Sequence, residues 1–370
     1  MSTEGVGAPA TWLLMGHKAG DNAQLLALAE ALGWPFETRH FTYRRTELLT
    51  NRLLGPTLAG IVPDRSTPLG PPWPQLILTA GRRNEPIARW IRRTAAGRTQ
   101  VKLVHLGRPW AALAEFDLII TTPQYHLPDR PNILHIEAPL HRLPVERLHA
   151  AADELRHELG ELQPPYLVAL LGGDAGTYRL DRENARLLAH HLTALAVQMN
   201  GSLLVSTSRR TPTQSLEAFR AGLLVSARIF EWSSENPSPY LGLLGLADRI
   251  VVTVDSVSMV TEAIATGKPV YIFDLSKGKT SERPLFPANG SIRPAGILER
   301  LEDARWPQIV NGIAAAVGPH RMLRDLRKVS ELQVDQGRAT WLGQEREHGD
   351  LAVPFTDLER ATQRVHQLFL

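Results

Sequence analysis

Three clusters of polar residues in this 370-residue chain have types and spacings that could do chemistry. In DSVSMVTEAIATGKP, Asp255, Ser258 and Glu262 stand three and four residues apart, so on a helix they share one face, while Val257, Val260 and Ile264 share another. Asp and Ser at a helix start either cap its free N–H groups or help those groups bind an anion at the positive end of the dipole. Ser256 belongs to the same turn. Glu262, farther along, either complements the dipole or reaches across the loop toward a ligand such as a ribose diol. The second cluster is GHKAGD, where His17 and Asp21 could supply a general base, or could be a plain loop residue and a helix cap. The third joins Gly172-Gly173 with Arg209 and Arg210 of STSRRTP. Glycine lets backbone approach an anion closely, and the planar arginine fork suits a diphosphate; solvated surface arginines are the plainer alternative. Arg82 and Arg83 repeat the pattern. Phe230 and Trp232 read as core residues rather than base-stacking rings.

Several chemistries lack their motifs. The chain has no cysteine, which removes disulfides, thiolate metal sites and cysteine nucleophiles. Neither G-x-G-x-x-G nor G-x-x-x-x-G-K-[ST] occurs, which disfavours hydride transfer and P-loop hydrolysis, and G-x-S-x-G is absent too. No Asp-x-Asp pair is present and the histidines lack ligand spacing, so a metal-dependent site is not expected. Net charge is +3, six lysines sit among 41 basic residues, and no long run of like charge marks a nucleic-acid surface. Hydrophobic residues at 43% and charged residues at 21% fit an ordinary globular protein. MSTEGVGAPA lacks the regions of a signal peptide and no apolar stretch is long enough to span a bilayer. The expected location is cytoplasmic, with peripheral contact at the inner membrane left open.

All these clusters fall at strand ends when the chain is read as alternating strands and helices. Strands are expected at 11–15, 37–43, 75–79, 101–106, 116–121 and 133–136, then at 166–171, 202–206, 227–232, 249–254 and 270–274. Helices follow the loops, among them 182–199, 213–221, 239–246 and the segment between Ser256 and Gly267. Length favours two domains. Pro164-Pro165 marks the boundary, giving an N-terminal domain over 1–160, a C-terminal domain over 165–335, and a helical segment over 336–370 that docks on the domains. Leu358, Ala361, Val365 and Leu368 form the docking face. A long polar loop at 276–296 and helices over 307–333 complete the reading.

Over ADRIVVTVDSVSMVTEAIATGKP the sequence resembles GT-B glycosyltransferases and UDP-N-acetylglucosamine 2-epimerases. Together with GHKAGDNAQ, TAGRR, GGDAGTYRLD, STSRRTP and NPSPYLGLLGLAD, it more closely resembles the mitochondrial fission elongated-mitochondria family, over nearly the whole chain. The resemblance implies a GT-B-like α/β fold: two Rossmann-like parallel-sheet domains facing across a cleft, the nucleotide held mainly by the second. It also implies that Glu262 binds the ribose and that Ser256 and Ser258 contact the diphosphate.

The first expectation is therefore a metal-independent glycosyltransferase of envelope polysaccharide or lipid assembly, with a nucleotide-sugar donor as substrate and no cofactor. Gly172, Gly173, Arg209, Ser256 and Ser258 would steady the departing diphosphate, and His17 or Asp21 would deprotonate a lipid-linked or other acceptor. One alternative is a non-catalytic adaptor on the same scaffold, since the family's fission role in plants concerns recruiting a dynamin-like protein. A nucleotide-sugar 2-epimerase is the other. Expected partners are the nucleotide sugar, a membrane surface or lipid-linked acceptor and, for the adaptor, a protein; nucleic acid is not among them.

Overall fold

The computed structural model describes residues 8–44, 55–176, 178–235, 238–275, 325–344 and 354–370. The chain divides into two compact units, residues 1–142 with 355–370, and residues 143–354.

In the first unit, β1 (Thr11–Met15), β2 (Phe36–His40), β3 (Leu76–Ala80), β4 (Lys102–Leu106), β5 (Leu118–Thr121) and β6 (Ile133–His135) form a parallel sheet in the order β2-β1-β3-β4-β5-β6. β1 and β3 are buried at every residue, as near-continuous apolar runs between two helical layers must be. Alternate side chains serve opposite faces. Leu13, Leu78 and Val104 pack with Leu25 and Leu28 of the Ala19–Leu32 helix, whereas Trp12, Ile77 and Leu103 pack with Ile87 and Ile91 of the Glu85–Ala95 helix.

The second unit repeats the architecture. β7 (Tyr166–Leu170), β8 (Ser202–Ser206), β9 (Ala227–Phe230), β10 (Arg249–Thr253), β11 (Val270–Phe273) and β12 (Thr340–Trp341) are parallel, in the order β12-β11-β10-β7-β8-β9. The last of these is a short strand with no periodic signal in the sequence. Of the expected 307–333 helices, the described part is Arg327–Asp335. Residues 307–324 and the 276–296 loop lie outside the described residues. In the first unit β2 stops at His40 rather than at 43, and Tyr43 forms an isolated antiparallel bridge with Ile61.

The units divide at 142/143, where the sequence places the boundary at 160–165. The helix Val145–Glu158 packs on Tyr240–Leu246 so closely that a Cβ at Gly242 would lie 2.7 Å from the Ala151 carbonyl oxygen, and one at Gly245 2.5 Å from that of Leu148. That contact, which the Pro164-Pro165 punctuation cannot reveal, ties the helix to the second unit. The C-terminal helix Asp357–His366 returns to the first unit, burying Ala361 and Val365 against its core. The Asp357 carboxylate accepts from the N–H groups of Glu137 and Ala138 at 2.9 and 3.0 Å, which fixes the helix start. Among the described residues, no helix is long and apolar enough to cross a membrane.

Candidate functional site

In open α/β sheets a ligand crevice forms outside the carboxyl ends of the two strands between which the connections change direction. In the first unit these strands are β1 and β3; in the second they are β7 and β10. The loops after them are 16–18 and 81–84, and those that begin at Leu171 and Val254.

At the second-unit switch point, three segments interlock. Thr253 Oγ1 accepts from the Gly172 N–H at 2.8 Å, and Asp255 Oδ2 accepts from the Gly173 N–H at 3.0 Å. Both amide donors therefore serve the loop itself. The space left by the missing side chains is filled by protein. A Cβ at Gly172 would sit 2.3 Å from Asp255 Oδ2, and one at Gly173 would sit 2.0 Å from the Arg210 carbonyl oxygen. Ser208 Oγ and Thr211 Oγ1 donate to the Gly172 carbonyl, at 2.6 and 2.5 Å, locking the 208–211 turn onto the glycine pair.

That turn aims Arg210 inward. Its Nη2 lies 2.8 Å from Asp255 Oδ2 and its Nη1 donates to the Asp174 carbonyl at 3.3 Å. The Asp255 side chain is fully buried, while that of Arg210 stays 37% exposed, so a ligand could touch the arginine but not the aspartate. Burial pushes the Asp255 carboxyl above its ordinary value, against the opposing pull of the Arg210 charge and the bonds from the loop. Arg209, the arginine singled out from the sequence, is exposed. Which of two consecutive arginines turns inward depends on the turn, and residue type carries no signal for it.

The helix Val257–Ala265 begins at this junction. Ser256 is its N-cap by position but makes no side-chain capping bond. Asp255 does not cap it either, being committed to Arg210 and Gly173. The hydroxyls of Ser256 and Ser258, both half-buried, have no hydrogen-bond partner among the described residues. The first turn thus presents N–H groups without a side-chain cap, a disposition suited to an anion. On the same helix Glu262 is half-buried, and Tyr240 Oη donates to its Oε2 at 2.6 Å. Burial raises the Glu262 carboxyl, the Tyr240 bond opposing it, and burial together with the Glu262 charge raises the Tyr240 hydroxyl.

At the first-unit switch point, Asn22, at the start of the Ala19–Leu32 helix, closes the loop after β1 with paired bonds, accepting from the Gly16 N–H at 2.8 Å and donating to its carbonyl at 3.0 Å. Buried Asn84 donates to the Leu14 carbonyl at 2.7 Å and accepts from Tyr43 Oη at 2.5 Å. Exposed His17 meets the Tyr43 ring edge-on, with centroids 6.2 Å apart. Half-buried Asp21 faces Gly81, whose φ of +73° suits glycine and whose added Cβ would lie 3.2 Å from Asp21 Oδ2. Arg83 lies over Tyr43 and Arg82 over Trp110, each 5.2 Å from the ring centroid.

Within each unit, then, the structure gathers residues that the sequence singled out: His17, Asp21, Arg82 and Arg83 in the first, and Gly172, Gly173, Ser256, Ser258 and Glu262 in the second. Arg210 and Asp255, left open between roles by the sequence, are a fixed pair. Tyr240 was missed; its one sequence signal is a tyrosine just after a proline at a helix start. Trp232 is 41% exposed rather than core, because β9 is an edge strand that ends at Phe230, and the Trp232 N–H donates to Thr207 Oγ1 just past it.

A family model described as Mitochondrial fission ELM1 matches residues 19–296, well over half of the chain. The chain is 28% identical over 233 residues to the mitochondrial fission protein ELM1 of Arabidopsis thaliana, covering 56% of this chain and 54% of the plant protein. It thus spans about half the length of that relative. An uncharacterized protein of Rickettsia prowazekii is 23% identical over 361 residues, covering 87% of this chain and 96% of its own. Among solved structures, the UDP-GlcNAc 2-epimerase of Methanocaldococcus jannaschii aligns with a TM-score of 0.47 at 11% identity, over 97% of this chain and 99% of its own. A glycosyltransferase of Rickettsia africae aligns with a TM-score of 0.45 at 11% identity, over 97% of each chain. Likeness at that level carries no argument about chemistry.

Proposed function

The chain belongs to the mitochondrial fission ELM1 family, and we propose that its second unit binds the nucleoside diphosphate of a nucleotide sugar whose glycosyl group is transferred to an acceptor. One observation carries this reading. At the β7/β10 switch point a half-exposed arginine, braced by a buried aspartate, stands with an uncapped helix N-terminus and two serine hydroxyls without partners among the described residues. These are donors and positive charge held in advance where a departing diphosphate gains negative charge, which is how preorganised electrostatics lowers a barrier. Arg210, Ser256 and Ser258 would hold the diphosphate and Glu262 the ribose. Gly172 and Gly173 shape the loop, and Arg209 flanks it.

The reaction balances without a redox partner. An acceptor hydroxyl oxygen bonds to the anomeric carbon, the bond from that carbon to the diphosphate oxygen breaks, and the nucleoside diphosphate leaves with the electron pair. The hydroxyl proton passes to a general base, the role the sequence offers to His17 or Asp21. Arg210 and the helix N-terminus offer charge stabilisation of the kind a divalent cation would otherwise supply. A chelator arm in the assay tests that metal independence.

Isothermal titration of the full chain with UDP-, GDP- and ADP-linked sugars is the test. Binding by at least one, weakened about tenfold or more by Arg210→Ala, is expected for loss of a charge-assisted contact. If none binds at millimolar concentration, the reading fails. The plant relative's name, a mitochondrial fission protein, favours a second reading in which the scaffold recruits a protein partner. Under it Arg210→Ala and Glu262→Ala leave function in a complementation assay intact.

A further inference from the structure

Glu262 is a half-buried carboxylate whose single hydrogen-bond partner among the described residues is a neutral hydroxyl, that of Tyr240. An ionised carboxylate offers two oxygens and about four lone-pair sites, so one tyrosine satisfies a fraction of its capacity. Among the described residues no cation pairs with it, and a partly desolvated carboxylate so placed is costly unless further donors complete it. Two adjacent sugar hydroxyls would do so.

The tyrosine is held with unusual firmness for a surface helix start. Its N–H donates to the Ser238 carbonyl at 2.7 Å, and its helix is pinned to Val145–Glu158 through Gly242 and Gly245. At the other end of that helix, Lys268 Nζ donates to the carbonyls of Leu244 and Gly245 at 2.8 and 2.6 Å. Lys268 lies three residues past the end of the Val257–Ala265 helix that bears Glu262. The Tyr240–Leu246 helix is therefore tied at both its ends to the C-terminal half of the Val257–Ala265 helix and the turn after it, by Tyr240–Glu262 at one end and Lys268 at the other. Such bracing removes the rotamer freedom a glutamate would otherwise lose on binding, which is how preorganisation raises affinity and selectivity.

We infer that Tyr240 is a positioning residue: by occupying Glu262 Oε2 it fixes the carboxylate with Oε1 as the remaining acceptor for a cis-diol, so that the pocket selects ribonucleotides over 2′-deoxyribonucleotides. The inference rests on the nucleotide reading above, and the experiment separates the two. The full chain is titrated with UDP, GDP, ADP and CDP and with their 2′-deoxy counterparts, for the wild type, Tyr240→Phe and Glu262→Gln. Thermal unfolding of each variant checks folding.

The wild type should favour the ribo form of its preferred nucleotide by about tenfold, as a hydrogen bond to a charged group allows. Tyr240→Phe, which removes one oxygen and keeps the ring, should reduce that ratio below about threefold by weakening the ribo form and leaving the deoxy form nearly unchanged. Glu262→Gln should do the same. A merely structural tyrosine would weaken both forms alike and leave the ratio standing. Retention of the ribo/deoxy ratio in folded Tyr240→Phe overturns the inference while the nucleotide site survives, and so does a wild type that binds both forms equally. Absence of binding by every diphosphate overturns both.

Discussion

Replacing Gly173 by alanine separates a glycine kept for a ligand from one kept for the protein's own packing. The new Cβ would lie 2.0 Å from the Arg210 carbonyl oxygen, 2.3 Å from its carbon and 2.7 Å from the Thr211 nitrogen. All three are main-chain atoms, so no rotamer change relieves the contact. Bringing carbon and oxygen to about 3.3 Å means that the 208–211 turn retreats by roughly 1 Å. Overpacking of this kind costs about 1–3 kcal/mol.

The retreat also draws Arg210 from Asp255, now 2.8 Å away. Stripping a fully buried carboxylate of its partner costs about 3–5 kcal/mol, but water reaches this arginine, which cuts the added cost to about 1–2 kcal/mol. The expected loss is about 3 kcal/mol in all, or a fall in Tm of roughly 6–12 °C for a unit of this size. Gly176→Ala is the control. Gly176 has φ +61° and, among the described residues, nothing within 4 Å of an added Cβ, so backbone strain of about 1–2 kcal/mol is what applies. Thermal unfolding of the two variants beside the wild type reads the difference. If Gly173→Ala unfolds no earlier than Gly176→Ala, the glycine does not exist to seat the Arg210 turn.

Two further outcomes follow from the same geometry. Gly245→Ala should lower stability by about 1–3 kcal/mol in denaturant unfolding, because its Cβ would meet the Leu148 carbonyl oxygen at 2.5 Å, and it should free the 145–158 helix to limited proteolysis. His105 is fully buried, with no partner for either ring nitrogen among the described residues, and burial lowers its pKa to about 3. Being depressed in the folded chain, this histidine protonates first in the unfolded chain. Stability is thus lost as pH falls from about 6.5 toward 3, by on the order of 4 kcal/mol, and His105→Leu should flatten that acid arm in pH-dependent unfolding.

Much of this protein was legible in one dimension. Apolar runs bounded by Gly, Ser and Pro mark most of the strands to within a residue or two, because a strand buried on both faces has to be apolar throughout. Alternation of strands with helices dictates parallel sheets, and parallel sheets put their loops where ligands bind. The sequence alone therefore selected six loops as the places to look, 16–22, 81–84, 107–108, 172–177, 207–211 and 255–258. What it could not supply was the order of strands in each sheet, which depends on long-range pairing and makes β1/β3 and β7/β10 the switch points. Nor could it say that helix 145–158 joins the second unit and helix 357–366 the first, since those choices rest on close packing at Gly242 and Gly245 and on burial of Ala361 and Val365. The choice of Arg210 over Arg209, the burial of Asp255 as a brace rather than a cap, and the bond from Tyr240 to Glu262 join residues up to 45 positions apart. Local residue chemistry names the groups that can act. Only the folded backbone decides which of them turn toward one another, because that direction is set by the turn each residue sits in and by what already fills the space beside it.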